Sequence, residues 1–397
     1  MPLPPSRWPG RPVWAEVDLD ALDHNVRLLA ARAAPACLYA VVKANAYGHG
    51  AVAVARSALA AGARGLAVVA VDEGEELRRA GLDAPIVVLG HTPASDAARA
   101  AALGLEPTVG SAEVLEALAS AARATGREVR LHLELETGMN RHGLAPDACV
   151  ALAERARATP GLRVEGLFTH FASADEEDPA FTRRQGAILR DVAARLPFVA
   201  LRHCSASAGI LAHRELALDM VRAGISLYGY RPAPICGPEA DLRPVMALRA
   251  RVARVADLRP GDAVGYGRTW AAPGPARVAL LMCGYADGYR RGFGDRAHAL
   301  LGGRRVPVVG RVSMDMITVD ASAVPEVRVG DVATLLGGDG AARVDADELA
   351  GLAGTISYEI LAGVAARVPR LYLRAGRAEA FTTLTERVPR PLPGEAP

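Results

Sequence analysis

The chain has 397 residues, 51% of them hydrophobic, and a formal net charge of +2 spread along its length. That length can bury a large core and predicts two domains, while the dispersed charge excludes the concentrated basic footprint of a nucleic-acid binder. No uncharged apolar run could span a bilayer, MPLPPSRWPGRP at the start lacks an apolar signal core, and the five cysteines lie far apart with no CxxC pair, so a cytoplasmic protein without a membrane segment, disulfide framework or zinc framework is expected.

From about residue 14 to residue 230, apolar strand-like runs alternate with amphipathic helical stretches. The strand candidates are 38–43 (LYAVVK), 66–70 (LAVVA), 86–90 (IVVLG), 130–135 (RLHLEL), 164–168 (VEGLF) and 199–203 (VALRH). Helical patterns lie between them, among them DEGEELRRAG after residue 71 and SAEVLEALASAARATG after residue 110, the latter opened by Ser111 as N-cap and closed by Gly126. Repeated β–α units imply a parallel sheet covered by helices, and about eight fit the length, which favours a closed (β/α)8 barrel over an open sheet. Near residue 240 the character changes to short β-branched runs separated by Gly/Pro turns, the pattern of a mostly antiparallel β domain. The expected division is a barrel over 10–240 and a β domain over 241–386, followed by PRPLPGEAP as a disordered tail.

The most informative residue is Lys43, the only lysine against 45 arginines. A composition that replaces lysine by arginine wherever charge alone is needed leaves behind the lysine that does something else. An amine can shed its proton and form a Schiff base; a guanidinium cannot. Lys43 ends the buried-strand pattern LYAVVK, where barrel chemistry sits, and Gly48 and Gly50 beyond it permit a tight turn. Tyr47 stands four residues further on, close enough to line the same pocket. The histidines show no HxH or HExxH spacing, so no metal is expected.

The segment AVVKANAYGHG (40–50) resembles the cofactor-lysine segment of bacterial alanine racemases, and the resemblance recurs in order: WAEVDLDALDHNVRLL (14–29), ETGMNRHG (136–143), FTHFASAD (168–175), VRAGISLYG (221–229), GYADGYRR (284–291), GRVSMDM (310–316) and TISYE (355–359). It implies pyridoxal 5'-phosphate held on Lys43, in a homodimer whose β domains complete each other's sites. Tyr285 in GYADG is similar to the family's second base, reaching the partner's cofactor. Racemisation removes the α-proton from one face and returns one on the other, so two bases must flank the carbon, and both a lysine and a tyrosine need shifted proton affinities to serve. Arg222 resembles the residue facing the pyridine nitrogen; as a permanent donor it keeps that nitrogen unprotonated and restrains side reactions. Ser207 resembles a phosphate contact, although Ala206 stands where the family usually has asparagine. Gly224 and Ile225 would offer backbone N–H groups to the phosphate, Tyr358 would touch it and narrow the pocket, and His170 would lie beside the ring.

Arg141 resembles the residue that pairs with the cofactor's phenolic oxygen near the substrate carboxylate. Many family members hold it with a carbamylated lysine; here that position is Glu134, expected to hydrogen bond Arg141 directly and to remove any dependence on carbon dioxide. Met314 resembles a backbone contact to the substrate carboxylate from the partner subunit, and Asp175 and Arg311 resemble residues of the access corridor. The implied activity is interconversion of L- and D-alanine for peptidoglycan supply, with a serine or broad-specificity racemase of the same family as the alternative. The barrel-containing decarboxylases of basic amino acids would need a reactive partner cysteine and a glycine-rich phosphate loop, neither recognisable here. A small pyridoxal-phosphate carrier would end near residue 240.

Overall fold

A computed structural model of the chain describes residues 11–391. The chain divides into two compact units, one of Ala21–Ala46 with Val54–Arg243, the other of Pro244 onward with the N-terminal strand and Tyr47–Ala53. The first strand, β1 (Val13–Asp18), does not join the barrel that the β–α alternation suggests for this region; it pairs antiparallel with Met246–Leu258 and parallel with Arg370–Arg374.

The first unit is built on eight parallel strands: β2 (Cys37–Val41), β3 (Gly65–Val68), β4 (Ile86–His91), β5 (Glu106–Thr108), β6 (Val129–Glu134), β7 (Leu162–Phe168), β8 (Leu201–His203) and β9 (Met220–Ala223). Their register runs β8-β7-β6-β5-β4-β3-β2-β9. The two ends meet: Asp219 N–H donates to Arg202 O at 3.0 Å and Arg222 N–H to Ser205 O at 2.9 Å, which closes the barrel. Strands such as LAV and IVV are buried on both faces, as a helix-covered parallel sheet requires. The helix Ala112–Thr125 starts on Ser111, whose hydroxyl accepts the Val114 N–H, and ends on Gly126 in the left-handed conformation, as its sequence dictates. Leu118 on that helix and Leu189 on Ala180–Ala194 join Leu131, Leu133 and Leu167 of the sheet in one apolar layer, each worth about 1.5–3 kcal/mol when fully buried.

Among the described residues, the second unit carries an eleven-stranded sheet, largely antiparallel. At its centre, Met246–Leu258 alternates buried Met246, Leu248, Ala250 and Val252 with Arg249 and Arg251 on the other face, the period of two that marks a half-buried strand. Within PRPLPGEAP, the first three residues belong to strand Glu386–Pro391, where Arg390 pairs with Phe381, and not to a disordered tail; the rest lies outside the described residues. All five cysteines are free, with Cys149, Cys204, Cys236 and Cys283 buried and Cys37 half-buried.

Candidate active site

Lys43 lies two residues beyond the end of β2 and is half-buried. Burial, and then the positive charges of Arg141 and Arg222, lower its proton affinity against the opposing pull of Glu73. The backbone after it is unusual. Ala44, Asn45, Ala46 and Tyr47 have φ of 53°, 54°, 52° and 51°, a left-handed turn in four successive non-glycine residues, at roughly 1–2 kcal/mol each. Glu73 helps hold it: one carboxylate oxygen accepts Ala44 N–H at 2.7 Å and the other accepts Val69 N–H at 2.7 Å, while Ala46 N–H donates to Val42 O at 2.8 Å. Gly48 continues at φ +84°, where a Cβ would meet Leu361 O at 2.3 Å, so this glycine serves both a conformation and a close approach.

Arg222 on β9 is buried, and burial lowers its proton affinity to about 10. One guanidinium nitrogen donates to Thr169 O at 2.9 Å and another donates to His203 Nδ1. His170 follows β7; burial and the charges of Arg222, Arg141 and Lys43 lower it to about 3, so its ring is neutral. Lys43, Arg141, His170 and Arg222 are therefore brought within electrostatic reach of one another.

Ser207 opens the helix Ser207–Ala212 after β8, and its hydroxyl accepts Gly224 N–H at 3.1 Å and Ser226 N–H at 3.2 Å. The Gly224 amide expected to face a phosphate is thus engaged by Ser207, which leaves the serine hydroxyl proton to donate. Ile225 is fully buried, so only its backbone could contact a ligand.

Glu134 departs from expectation. Its carboxylate lies 2.6 Å from His142 Nδ1, and no hydrogen bond to Arg141 forms. The loop that carries Arg141 is organised instead by Glu136, whose carboxylate gathers the backbone N–H groups of Gly138, Met139, Asn140 and Arg141; burial opposes ionisation there, but these donors hold it below the usual carboxylate range. Glu136 and Glu73 were not singled out from sequence. An acid opening a Thr-Gly-Met-Asn turn is a signal that could have found the first; the second needs contacts across thirty residues of chain.

Four other expected residues belong to the second unit. The Tyr47 and Tyr358 rings sit 6.1 Å apart at 47°, and burial raises the Tyr47 hydroxyl to about 12. Tyr285 and Met314 are exposed on adjoining loops, joined by Tyr285 N–H to Ser313 O and Ala286 N–H to Met314 O, both at 3.0 Å. Buried Asp287 anchors the pair, accepting from Arg11 at 2.7 Å, from Arg367 at 2.8 Å and from Gly284 N–H at 3.0 Å, while Arg367 also donates to Asp315 at 2.6 Å. A Cβ at Gly284 would meet Ser313 O at 2.3 Å, so the loops approach this closely only with glycine there. Asp175 and Arg311 both lie outside strands and helices. Among the described residues no group of acidic, histidine or cysteine side chains could hold a metal ion, and no helix is long and apolar enough to cross a membrane.

Residues 17–232 match the alanine racemase N-terminal domain family and residues 245–372 match the alanine racemase C-terminal domain family. The alanine racemase of Desulfovibrio desulfuricans is 43% identical over 368 residues, covering 91% of this chain and 98% of that protein. The solved alanine racemase of Clostridium difficile 630 superposes with a TM-score of 0.90 at 33% identity, over 94% of this chain and 99% of that one. The alanine racemase of Bacillus anthracis, solved with bound L-Ala-P, gives 0.88 at 34% identity, over 94% and 98%.

Proposed function

The chain belongs to the alanine racemase family and is a racemase, an isomerase, and from that premise we propose that it interconverts L- and D-alanine with pyridoxal 5'-phosphate held on Lys43 and the partner subunit's Tyr285 as second base. The observation that carries the reading is the chain's single lysine, half-buried at the end of the first barrel strand with its proton affinity lowered. The residues present fit the cofactor. Ser207, Gly224 and Ile225 follow the last two strands of the barrel, where barrels commonly take a phosphate group, and the Ser207 hydroxyl has its proton to give.

When bound, pyridoxal phosphate delocalises the electron pair left on the substrate α-carbon. Lys43, poised toward its neutral form, takes or returns the α-proton on one face, and Tyr285 does so on the other. Arg222, a donor at every ordinary pH, would offer its positive charge to the ring nitrogen. Neutral His170 would lie beside the ring without adding charge. Arg141, its side chain exposed on the Glu136-organised loop, is assigned to the cofactor's phenolic oxygen and the substrate carboxylate. Tyr358 is assigned to the cofactor and Met314 to the substrate carboxylate on the family resemblance, and Tyr47 to the cofactor pocket on its place four residues beyond Lys43. A homodimer, a cytoplasmic location and supply of D-alanine to peptidoglycan complete the proposal.

The test is proton exchange read together with chirality. Protein loaded with pyridoxal phosphate is incubated in deuterated water with L-alanine and, separately, with L-serine. D-alanine carrying α-deuterium, absent with Lys43→Ala, is expected. Exchange without inversion would remove Tyr285 as second base, and faster turnover of serine would replace alanine as the substrate.

A further inference from the structure

Behind Arg222, the barrel interior holds a line of polar groups that the proposed chemistry does not use. Glu106 on β5, His132 on β6 and His203 on β8 are 4%, 0% and 0% exposed. His132 Nε2 lies 3.2 Å from Glu106 Oε2, His132 Nδ1 lies 3.0 Å from His203 Nε2, and His203 Nδ1 meets Arg222 Nη1. The line crosses β7 only because Gly166 is there: a Cβ on it would sit 2.0 Å from His132 Nδ1.

Every proton along this line has one possible direction. A guanidinium only donates, so His203 Nδ1 accepts and the ring's proton is on Nε2. That N–H donates to His132 Nδ1, which leaves the His132 proton on Nε2, donating to the Glu106 carboxylate. Burial, with the charge of Arg222, drives His203 well below the ordinary imidazole range, so it is neutral. Burial opposes ionisation of Glu106, but the His132 hydrogen bond, with Arg130 at 3.3 Å, outweighs it and holds the carboxyl low. A buried cation and a buried anion are thus joined through two imidazoles. Phe168 sets the plane, stacked on His203 with centroids 4.8 Å apart and an angle of 9°, and with the Arg222 guanidinium carbon 5.1 Å from its own centroid.

We propose that Glu106, His132 and His203 are positioning residues that lock the orientation of the Arg222 guanidinium through a one-directional hydrogen-bonded line, so that loss of the acceptor at Glu106 is felt at Arg222. The functional half of this inference rests on the reading that Arg222 faces the cofactor; the line itself does not.

The experiment is ¹⁵N NMR of histidine-labelled full-length protein as purified with its cofactor, followed by two variants. Both His132 and His203 should show a bare Nδ1 and a protonated Nε2; either ring found as the Nδ1–H tautomer or as a cation overturns the proposal. Glu106→Gln keeps an acceptor and should keep both tautomers and a kcat close to that of the unaltered enzyme. Glu106→Leu removes it, leaving the His132 Nε2–H without its acceptor, and should shift the His132 ¹⁵N resonances and lower kcat about tenfold with a much smaller change in KM, the scale of one weakened charge-assisted hydrogen bond. A folded Glu106→Leu enzyme with unchanged kcat would make the line a folding element only and refute the positioning role. Should that variant not fold, the wild-type tautomers and the Glu106→Gln comparison decide. Failure of the cofactor reading is visible separately: Arg222→Leu would then leave the cofactor's absorbance unaltered while the wild-type tautomers stand.

Discussion

Replacing Ala44 by glycine should leave the protein as stable or make it more so, against the usual effect of this substitution in a helix. Ala44 is exposed and has φ 53° and ψ 48°, so its methyl group contributes strain without compensating burial. A left-handed L-residue costs roughly 1–2 kcal/mol, and the extra freedom glycine gives the unfolded chain takes back roughly 0.4–1 kcal/mol. The balance lies between no change and about 1.5 kcal/mol of stabilisation. An ordinary right-handed helix would instead lose roughly 1 kcal/mol. Ala44→Val moves the other way, because a β-branched residue is a severe outlier at positive φ; a loss of at least about 1 kcal/mol is expected. Thermal unfolding of the three proteins, cofactor-loaded and at one pH, reads the order directly. Glycine destabilising by about 1 kcal/mol with valine harmless would refute the left-handed turn and the strain argument built on it.

Removing carbon dioxide and bicarbonate should leave turnover unchanged, since the chain's only lysine is Lys43 and none remains to carry a carbamate; a rate restored by added bicarbonate would overturn this. Asp287→Leu should cost about 2 kcal/mol in unfolding free energy, below the full range for a broken buried ion pair because Arg11 and Arg367 both reach solvent. Because it frees the loops of Tyr285 and Met314, it should also lower D-alanine formation more than cofactor affinity, and equal losses in both would refute the anchoring role. His170 stays neutral in the fold down to about pH 3, whereas unfolding returns it to a value near 6.5. The unfolded state therefore binds more protons over that window, so this contribution to stability is complete above about pH 6.5 and is lost as pH falls toward 3. His170→Gln should flatten the fall of the unfolding midpoint between pH 7 and pH 4, and an unchanged slope would refute the buried neutral ring.

Much of the architecture was legible before folding because it is written in local chemistry. The β–α alternation announces the parallel sheet, Ser111 and Gly126 mark both ends of a helix, and the shift near residue 240 announces the second sheet. The elements missed or misplaced share a cause. Strand Glu106–Thr108 is three residues long and contains a proline, leaving no periodicity to detect. The strand Val13–Asp18 reads like any strand, and its place in the second sheet is fixed by partners more than two hundred residues away.

The candidate site divides along the same line. Composition alone singled out Lys43, since a lone lysine among arginines points to the one property arginine lacks, a removable proton. Resemblance supplied Arg222, His170, Ser207 and Tyr285, each inside a recognisable motif. The partners that set their chemistry became visible only in the folded chain. Glu134 reads as the support for Arg141 and lies against His142 instead, because what a carboxylate meets depends on distances that the spacing of residues leaves open. Glu73 braces the turn after Lys43 from the next strand–helix connection, Asp287 ties two loops through Arg367, and the line from Glu106 to Arg222 runs through four strands and across the glycine of a fifth. The sequence by itself determined a parallel β/α sheet followed by a largely antiparallel one, and it singled out Lys43 as the chain's lone lysine. The tertiary structure decided the direction of proton-affinity shifts, hydrogen-bond partners and loop geometry, because burial and charge are properties of what surrounds a residue in space.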